Sequence, residues 1–201
     1  NEAAQRIALS NYQLNTHAIG DSANHSVLKT YTKVLQGTTD RRWKVEHAQV
    51  VSPLDFQYFK NIIPSIQPTH ATSDMYWAEE RIGKDRMKGA YAYKKLLDIH
   101  GKVALGTDFP VEYVSPFYTF HAAVARQDGN NYPSEGFQKH DALTREETLR
   151  GMTIWAAYSN FEENEKGSIE NGKFADFIFL DKNIMEVDEK VIRDVKVTVL
   201  F

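Results

Sequence analysis

Short apolar segments alternate with amphipathic segments from about residue 13 to residue 126, and this alternation limits the possible fold more than any other feature of the chain. The strand-like segments are 13–16, 43–46, 62–66 and 102–105, and the main helical segments are 22–35, 85–100, 116–126 and 144–159. Strands that alternate with helices usually pair in parallel through right-handed crossovers. The pattern therefore predicts an α/β fold. Four such units make half of an eight-stranded TIM barrel, because a whole (β/α)8 barrel needs about 250 residues.

The pattern of residues changes from helical to strand-and-turn after Asn160. Turn-forming pairs become frequent, and the segments 177–180 and 195–201 alternate or cluster apolar residues as strands do. We predict a domain boundary there. Residues 1–160 would form the partial barrel, with strands five to eight and their helices, and residues 161–201 would supply strands of a small composite β-sandwich domain.

Charge and composition exclude some classes of partner. Lys and Arg number 24 against 27 Asp and Glu, a formal charge of −3, which gives no reason to expect nucleic acid or an anionic membrane. No apolar run approaches the roughly 20 residues that cross a bilayer. Cysteine is absent, so no disulfide can form and any metal must be bound by His, Asp or Glu. A cytoplasmic location suits this composition.

The first residues of the chain have the pattern of the C-terminal end of a helix. The first residue is Asn1 rather than Met, and residues 1–11 have a helical pattern. We therefore expect a fragment of a longer protein, in which a signal peptide could precede Asn1.

Three polar residues each follow a predicted strand. His17 follows the first, His47 the second and Asp108 the fourth. The two histidines are separated by about 30 residues, the length of one βα unit. In an α/β barrel the carboxyl ends of the strands form the rim where active sites lie. The spacing therefore predicts that these three side chains share one rim.

Two imidazoles and a carboxylate on one rim suit zinc or a similar divalent ion. Such an ion activates water for hydrolysis, and a neighbouring carboxylate can accept the proton and later deliver it to a leaving group. Taken singly, each residue is as readily a structural one, since a histidine after a strand is often only hydrogen-bonded and a Gly-Thr-Asp turn is often only a turn.

Five segments together resemble one family. They are HAIGD at 17–21, EHAQ at 46–49, QPTH at 67–70, GTDFPV at 106–111 and KGSIENGKFAD at 166–176. In this order they are similar to the C-terminal part of the metal-dependent amidohydrolases, specifically amidohydrolase family 3, which includes N-substituted formamide deformylase-like enzymes. The resemblance covers nearly the whole chain.

The resemblance implies roles for the rim residues. His17 and His47 would be the metal ligands of barrel strands five and six, and Asp108 would be the strand-eight metal ligand and general base. The family also carries a His-x-His pair on strand one and a bridging ligand on strand four, often a carboxylated lysine, and this chain contains neither. The expected site, which in the full-length enzyme would hold one or two ions, is therefore incomplete in this polypeptide, and the fragment alone is expected to be inactive.

Other residues have less certain parts. His70 could face the substrate, polarise a carbonyl or only fix a loop, and Gln67 would orient neighbours by hydrogen bonds. Trp77, in the predicted long loop after His70, could contact an apolar substrate or simply pack. His25, His100, His121 and His140 lie away from the strand ends and are predicted to be solvated or structural.

The first hypothesis is an enzyme that cleaves a non-peptide C–N bond of an amide-type small molecule with metal-activated water. The second is a non-catalytic fragment that only folds and self-associates. The third is an esterase or phosphoesterase that uses the same metal chemistry. A half-barrel leaves strand edges open, so we also expect either a homo-oligomer or association with the missing N-terminal half.

Overall fold

The computed structural model describes residues 2–36, 38 and 40–200. The chain divides into two compact units. Unit 1 comprises Asn1–Ile66 and Trp77–Ala104, and unit 2 comprises Gln67–Tyr76 and Leu105–Phe201. Asn1 and Phe201, the two ends of the predicted domains, lie outside the described residues.

A parallel sheet organises unit 1. Its strands lie in the order β1 (Asn15–Ala18), β2 (Lys44–His47), β3 (Ile63–Ile66) and β4 (Ala104–Leu105), and the last strand falls where the two units meet in the sequence. β1 pairs in parallel with β2, and β2 in parallel with β3. The prediction of a mixed α/β fold with a parallel sheet is confirmed, while its extension to half of a TIM barrel stays a prediction.

Unit 1 also contains helices, each of which buries apolar residues. They are α1 (Glu2–Ala8), α2 (Asp21–Val34), α4 (Ala78–Met87) and α5 (Tyr93–His100), and a 3-10 helix spans Phe56–Lys60. Leu28 and Tyr31 of α2 are fully buried, and the Tyr31 ring packs edge-on against Trp43 with 4.9 Å between centroids. Full burial of such a side chain contributes about 1.5–3 kcal/mol.

Unit 2 has its own core. It contains α3 (Pro68–Asp74), α6 (Pro116–Ala125), α7 (Arg145–Met152), α8 (Ile154–Ser159), the antiparallel pair β5 (Ile178–Leu180) and β6 (Val197–Leu200), and 3-10 helices at Lys139–Asp141 and Glu189–Asp194. Phe120 and Val124 of α6 pack with Ile184 and Ile192. The predicted domain boundary near Asn160 stays a prediction.

Three details of the predicted secondary structure were wrong. The helix predicted over 85–100 is divided, because α4 ends at Met87 and α5 begins only at Tyr93. The long loop predicted after His70 instead contains the second half of α3 and most of α4. The helix predicted over 144–159 is broken at Thr153, whose φ of −126° and ψ of −95° are not helical.

Candidate active site

Two imidazole rings lie side by side in unit 1. His17 belongs to β1 and His47 ends β2, and the register of these parallel strands places Ala18 opposite His47. The ring centroids are 4.5 Å apart and the rings meet edge to face at 75°. His17 is exposed, whereas His47 is only 9% exposed. The structure thus brings these two predicted site residues together, while their role as metal ligands stays a prediction.

The backbone that carries His47 is strained. His47 and the following Ala48 have φ values of 73° and 43°, in the left-handed region that costs an L-residue about 1–2 kcal/mol. Hydrogen bonds beyond the turn offset this cost. The Val50 amide donates to the Ile19 carbonyl at 2.9 Å, and Val50 forms an isolated bridge with Ala90. The turn after β2 is therefore attached to the chain that leaves β1.

A histidine and an aspartate meet in unit 2. The Nε2 atom of His70 lies 3.2 Å from the Oδ2 atom of Asp108. His70 is buried on α3, which begins with Pro68 at its first turn, a favourable position for proline. Asp108 follows β4 by three residues. The carboxylate predicted as general base thus has an imidazole as its direct neighbour.

A compact turn follows Asp108 and contacts the helix that carries His70. The Asp108 carbonyl accepts bonds from the Val111 amide at 2.8 Å and the Glu112 amide at 3.4 Å. The Glu112 carboxylate in turn accepts a bond of 2.6 Å from the Ser73 hydroxyl of α3. Sequence reasoning missed this pair, because no local signal relates a serine to a glutamate 39 positions further on.

The two remaining predicted site residues have different surroundings. Gln67 is buried directly before α3, and its carbonyl accepts a bond from the His70 amide at 3.1 Å. Trp77 belongs to unit 1, precedes α4 and is half exposed. Next to it in the chain, Tyr76 stacks on Tyr132, with centroids 6.2 Å apart. Substrate binding by Gln67, His70 and Trp77 stays a prediction.

Three of the four histidines predicted to be solvated or structural have surroundings of these kinds. His25 faces the buried Asp55 carboxylate at 3.0 Å. The Nδ1 atom of His100 lies 2.8 Å from the Phe59 carbonyl, and burial lowers the pKa of His100. His140 is mostly exposed. We assign no ligand role to these three.

The donor set of the candidate residues suits a divalent ion. In unit 1, His17 and His47 offer imidazole nitrogens, and in unit 2, His70 and Asp108 offer an imidazole nitrogen and a carboxylate oxygen. Imidazole nitrogen together with carboxylate oxygen is the combination that zinc and related ions accept in hydrolases. His70, predicted for substrate binding, therefore also has the chemistry of a ligand.

Solved structures with this fold include metal-dependent hydrolases. The chain is similar to an uncharacterized metal-dependent hydrolase from Pyrococcus horikoshii, with a TM-score of 0.80 and 29% sequence identity over 94% of this chain and 38% of that one. The fold is thus that of a class of metal-dependent hydrolases.

The family follows from the sequence match. The model of the amidohydrolase family, in the group Amidohydro_3, matches residues 2–200. The chain therefore belongs to the amidohydrolase family, and the predicted resemblance to amidohydrolase family 3 is confirmed.

Two curated relatives show the extent of the match. The chain is 35% identical to Protein LONG AFTER FAR-RED 3 of Arabidopsis thaliana, over 95% of this chain and 33% of that protein. It is 27% identical to N-substituted formamide deformylase of Arthrobacter pascens, over 98% of this chain and 36% of that protein. The chain spans about a third of the length of these curated relatives.

The helices in the described part of the chain are short. α2 has 14 residues, whereas a helix that crosses a bilayer needs about 20 predominantly apolar ones. None of the described helices combines the length and the apolar character that a membrane span requires.

Proposed function

We propose that the protein is a hydrolase that cleaves the C–N bond of a small amide-type substrate with water activated by a divalent metal. His17, His47 and Asp108 would belong to its site, which residues outside this chain would complete. The observation that carries the proposal is the contact of the His17 and His47 rings at the ends of neighbouring parallel strands, in a chain of the amidohydrolase family.

The residues present fit the metal that the family implies. His17 and His47 would each bind it through a ring nitrogen, and Asp108 through a carboxylate oxygen. A divalent ion, which we propose to be zinc, lowers the pKa of water and polarises the carbonyl of the substrate when it is bound.

Asp108 would move the proton during the reaction. Its carboxylate accepts a proton from the attacking water as the new C–O bond forms. The same carboxyl group then gives this proton to the nitrogen of the leaving amine as the C–N bond breaks. His70, 3.2 Å from Asp108, would keep the carboxylate oriented and face the substrate carbonyl.

The substrate would be a small molecule that Gln67 and Trp77 help to bind. The relative named N-substituted formamide deformylase makes N-substituted formamides the first compounds to examine.

We propose that the sheet continues as a TIM barrel, and that the outer side of β1 pairs with the rest of that barrel or with a second copy of the chain.

Metal content and turnover of the full-length protein test this proposal. Asp108→Asn keeps the shape of the side chain but removes the base, so we expect turnover to fall by about 10²–10⁴-fold with an unchanged circular dichroism spectrum. His17→Ala and His47→Ala should lower the bound metal measured by mass spectrometry. His140→Ala, which changes a mostly exposed histidine, is the matched control and should alter neither quantity.

The outcomes separate the competing functions. Full metal occupancy in both His17→Ala and His47→Ala would remove them as ligands, and near-normal turnover of Asp108→Asn would remove its role as base. If the protein binds metal and hydrolyses esters or phosphoesters but not amides, it is an esterase or phosphoesterase rather than an amide hydrolase. A full-length protein that binds no metal and hydrolyses none of these compounds would be a non-catalytic member of the family.

A further inference from the structure

A buried asparagine in unit 1 contacts the chain segments that follow the two histidines. Asn24 is on α2, seven residues after His17, and its side chain is fully buried. Its Nδ2 atom lies within hydrogen-bond distance of four backbone carbonyl oxygens, at 3.1 Å from Ala18, 3.2 Å from Ile19, 3.1 Å from Gly20 and 3.0 Å from Val50. A single amide group thus serves four acceptors.

The four acceptors belong to the two segments that follow the histidines. Ala18, Ile19 and Gly20 are the residues immediately after His17, and Val50 is the third residue after His47. The Asn24 amide therefore bridges the exit of β1 and the exit of β2. The Val50 amide and the Ile19 carbonyl already link these two segments through the backbone, and the Asn24 side chain adds a second link between them.

The position requires a donor. All four carbonyl groups are acceptors, so only the NH2 end of the amide can satisfy them, with its two hydrogens shared among them. The Oδ1 atom is buried and meets no donor among the residues that the structure describes. Aspartate, which has the same shape, would place a carboxylate oxygen against four carbonyl oxygens, and alanine would leave buried carbonyl groups without this donor.

We propose that Asn24 is the positioning residue of the metal centre, because its amide holds the exits of β1 and β2 at the separation that sets His17 against His47. This inference rests on the proposed function. His47 and Ala48 have left-handed backbone conformations that relax when neighbouring bonds are lost. Removal of the donor therefore lets the His47 ring move away from His17, and the metal loses one of its ligands.

The test compares Asn24→Ala and Asn24→Asp with Leu28→Ala in the full-length protein. Leu28 lies one turn further along α2, is also fully buried and contributes apolar packing. All three changes should lower the melting temperature. The Kd for zinc, measured by competition with a chelator, should rise about ten- to hundredfold in both Asn24 variants and stay within about twofold in Leu28→Ala.

The inference would be overturned if the Asn24 variants kept the wild-type Kd for zinc while their melting temperature fell as much as that of Leu28→Ala. If neither of these Asn24 variants folds, Asn24→Ser keeps one donor and serves in their place, with an intermediate rise in Kd expected. A crystal structure of metal-free Asn24→Ser gives a second measurement: the ring centroids of His17 and His47 should lie farther apart than 4.5 Å, and an unchanged distance refutes the positioning role.

His17→Ala and His47→Ala distinguish the two levels of failure. If the wild-type protein binds no metal, or binds it equally well in both histidine variants, the proposed function fails. If both histidine variants lose metal while the Asn24 variants keep it, only the role of Asn24 fails.

Discussion

Replacement of His121 should change how the stability of unit 2 depends on pH. His121 lies on α6 with 1% of its surface exposed. Burial, together with a smaller effect of the nearby Arg193 guanidinium, lowers the pKa of this imidazole from 6.5 to about 4, against smaller opposite effects of Asn131 and two carboxylates. The folded protein therefore keeps His121 neutral at pH values where an unfolded chain protonates it.

The sign and the size of the effect follow from proton linkage. Below pH 6.5 the unfolded state binds a proton at His121 that the folded state does not bind, so the free energy of unfolding falls as the pH falls. Each pH unit costs about 1.4 kcal/mol, and the loss continues until the folded-state pKa is reached near 4. As the pH falls through this window, the neutral His121 lowers the free energy of unfolding by about 3 kcal/mol in total. Above pH 6.5 this loss is absent.

Urea unfolding of the wild-type protein and His121→Gln between pH 7.5 and 4.5 measures this effect. Carboxylates that titrate in the same window are common to both proteins, so their contributions cancel in the difference. His140→Gln, at a mostly exposed histidine, is the control and should keep the wild-type slope. Below pH 6.5 the free energy of unfolding should fall less steeply with falling pH in His121→Gln than in wild type, by about 1.4 kcal/mol per pH unit. Equal slopes in His121→Gln and wild type would refute the conclusion that the buried ring is neutral.

Two further predictions concern local backbone geometry and are measured by urea unfolding at neutral pH. A Cβ atom at Gly89 would clash with the Val51 carbonyl oxygen, so Gly89→Ala should cost about 1–3 kcal/mol. Gly106→Ala has open space around it and should change stability by about 1 kcal/mol or less. Equal effects would contradict the clash. Thr144 and Glu147 form a capping box at the start of α7, so Thr144→Ala should cost about 1 kcal/mol, and an unchanged unfolding midpoint would show that this cap contributes nothing.

The parallel strands could be predicted from the sequence, but the helices after β3 could not. The segment at 62–66 is a short apolar run that reads directly as a strand. α3 consists mostly of Thr, Ser, His and Asp, which are weak helix formers. Tertiary packing overrides this preference, because Thr69, His70, Ala71 and Thr72 are all buried in the folded protein.

The site divides in the same way. That His17 and His47 are neighbours follows from two parallel strands of similar length, because the carboxyl ends of adjacent strands meet at one edge of the sheet. That His70 meets Asp108 depends on where α3 begins, and the sequence pattern predicts a loop at that place. The bonds of Asn24 require the path of two chain segments after their strands, and a pattern of residue types does not contain that path.

The β5–β6 ribbon has a practical consequence for anyone who produces these 201 residues alone. Ile178, Phe179 and every residue of β6 expose apolar or β-branched side chains to water, and Leu200 is 77% exposed. A two-stranded ribbon is only marginally stable, and the outer edges of such a ribbon can add further strands. We therefore expect the ribbon to promote aggregation in concentrated solution, and a solubilising fusion or co-expression with complementary strands should reduce it.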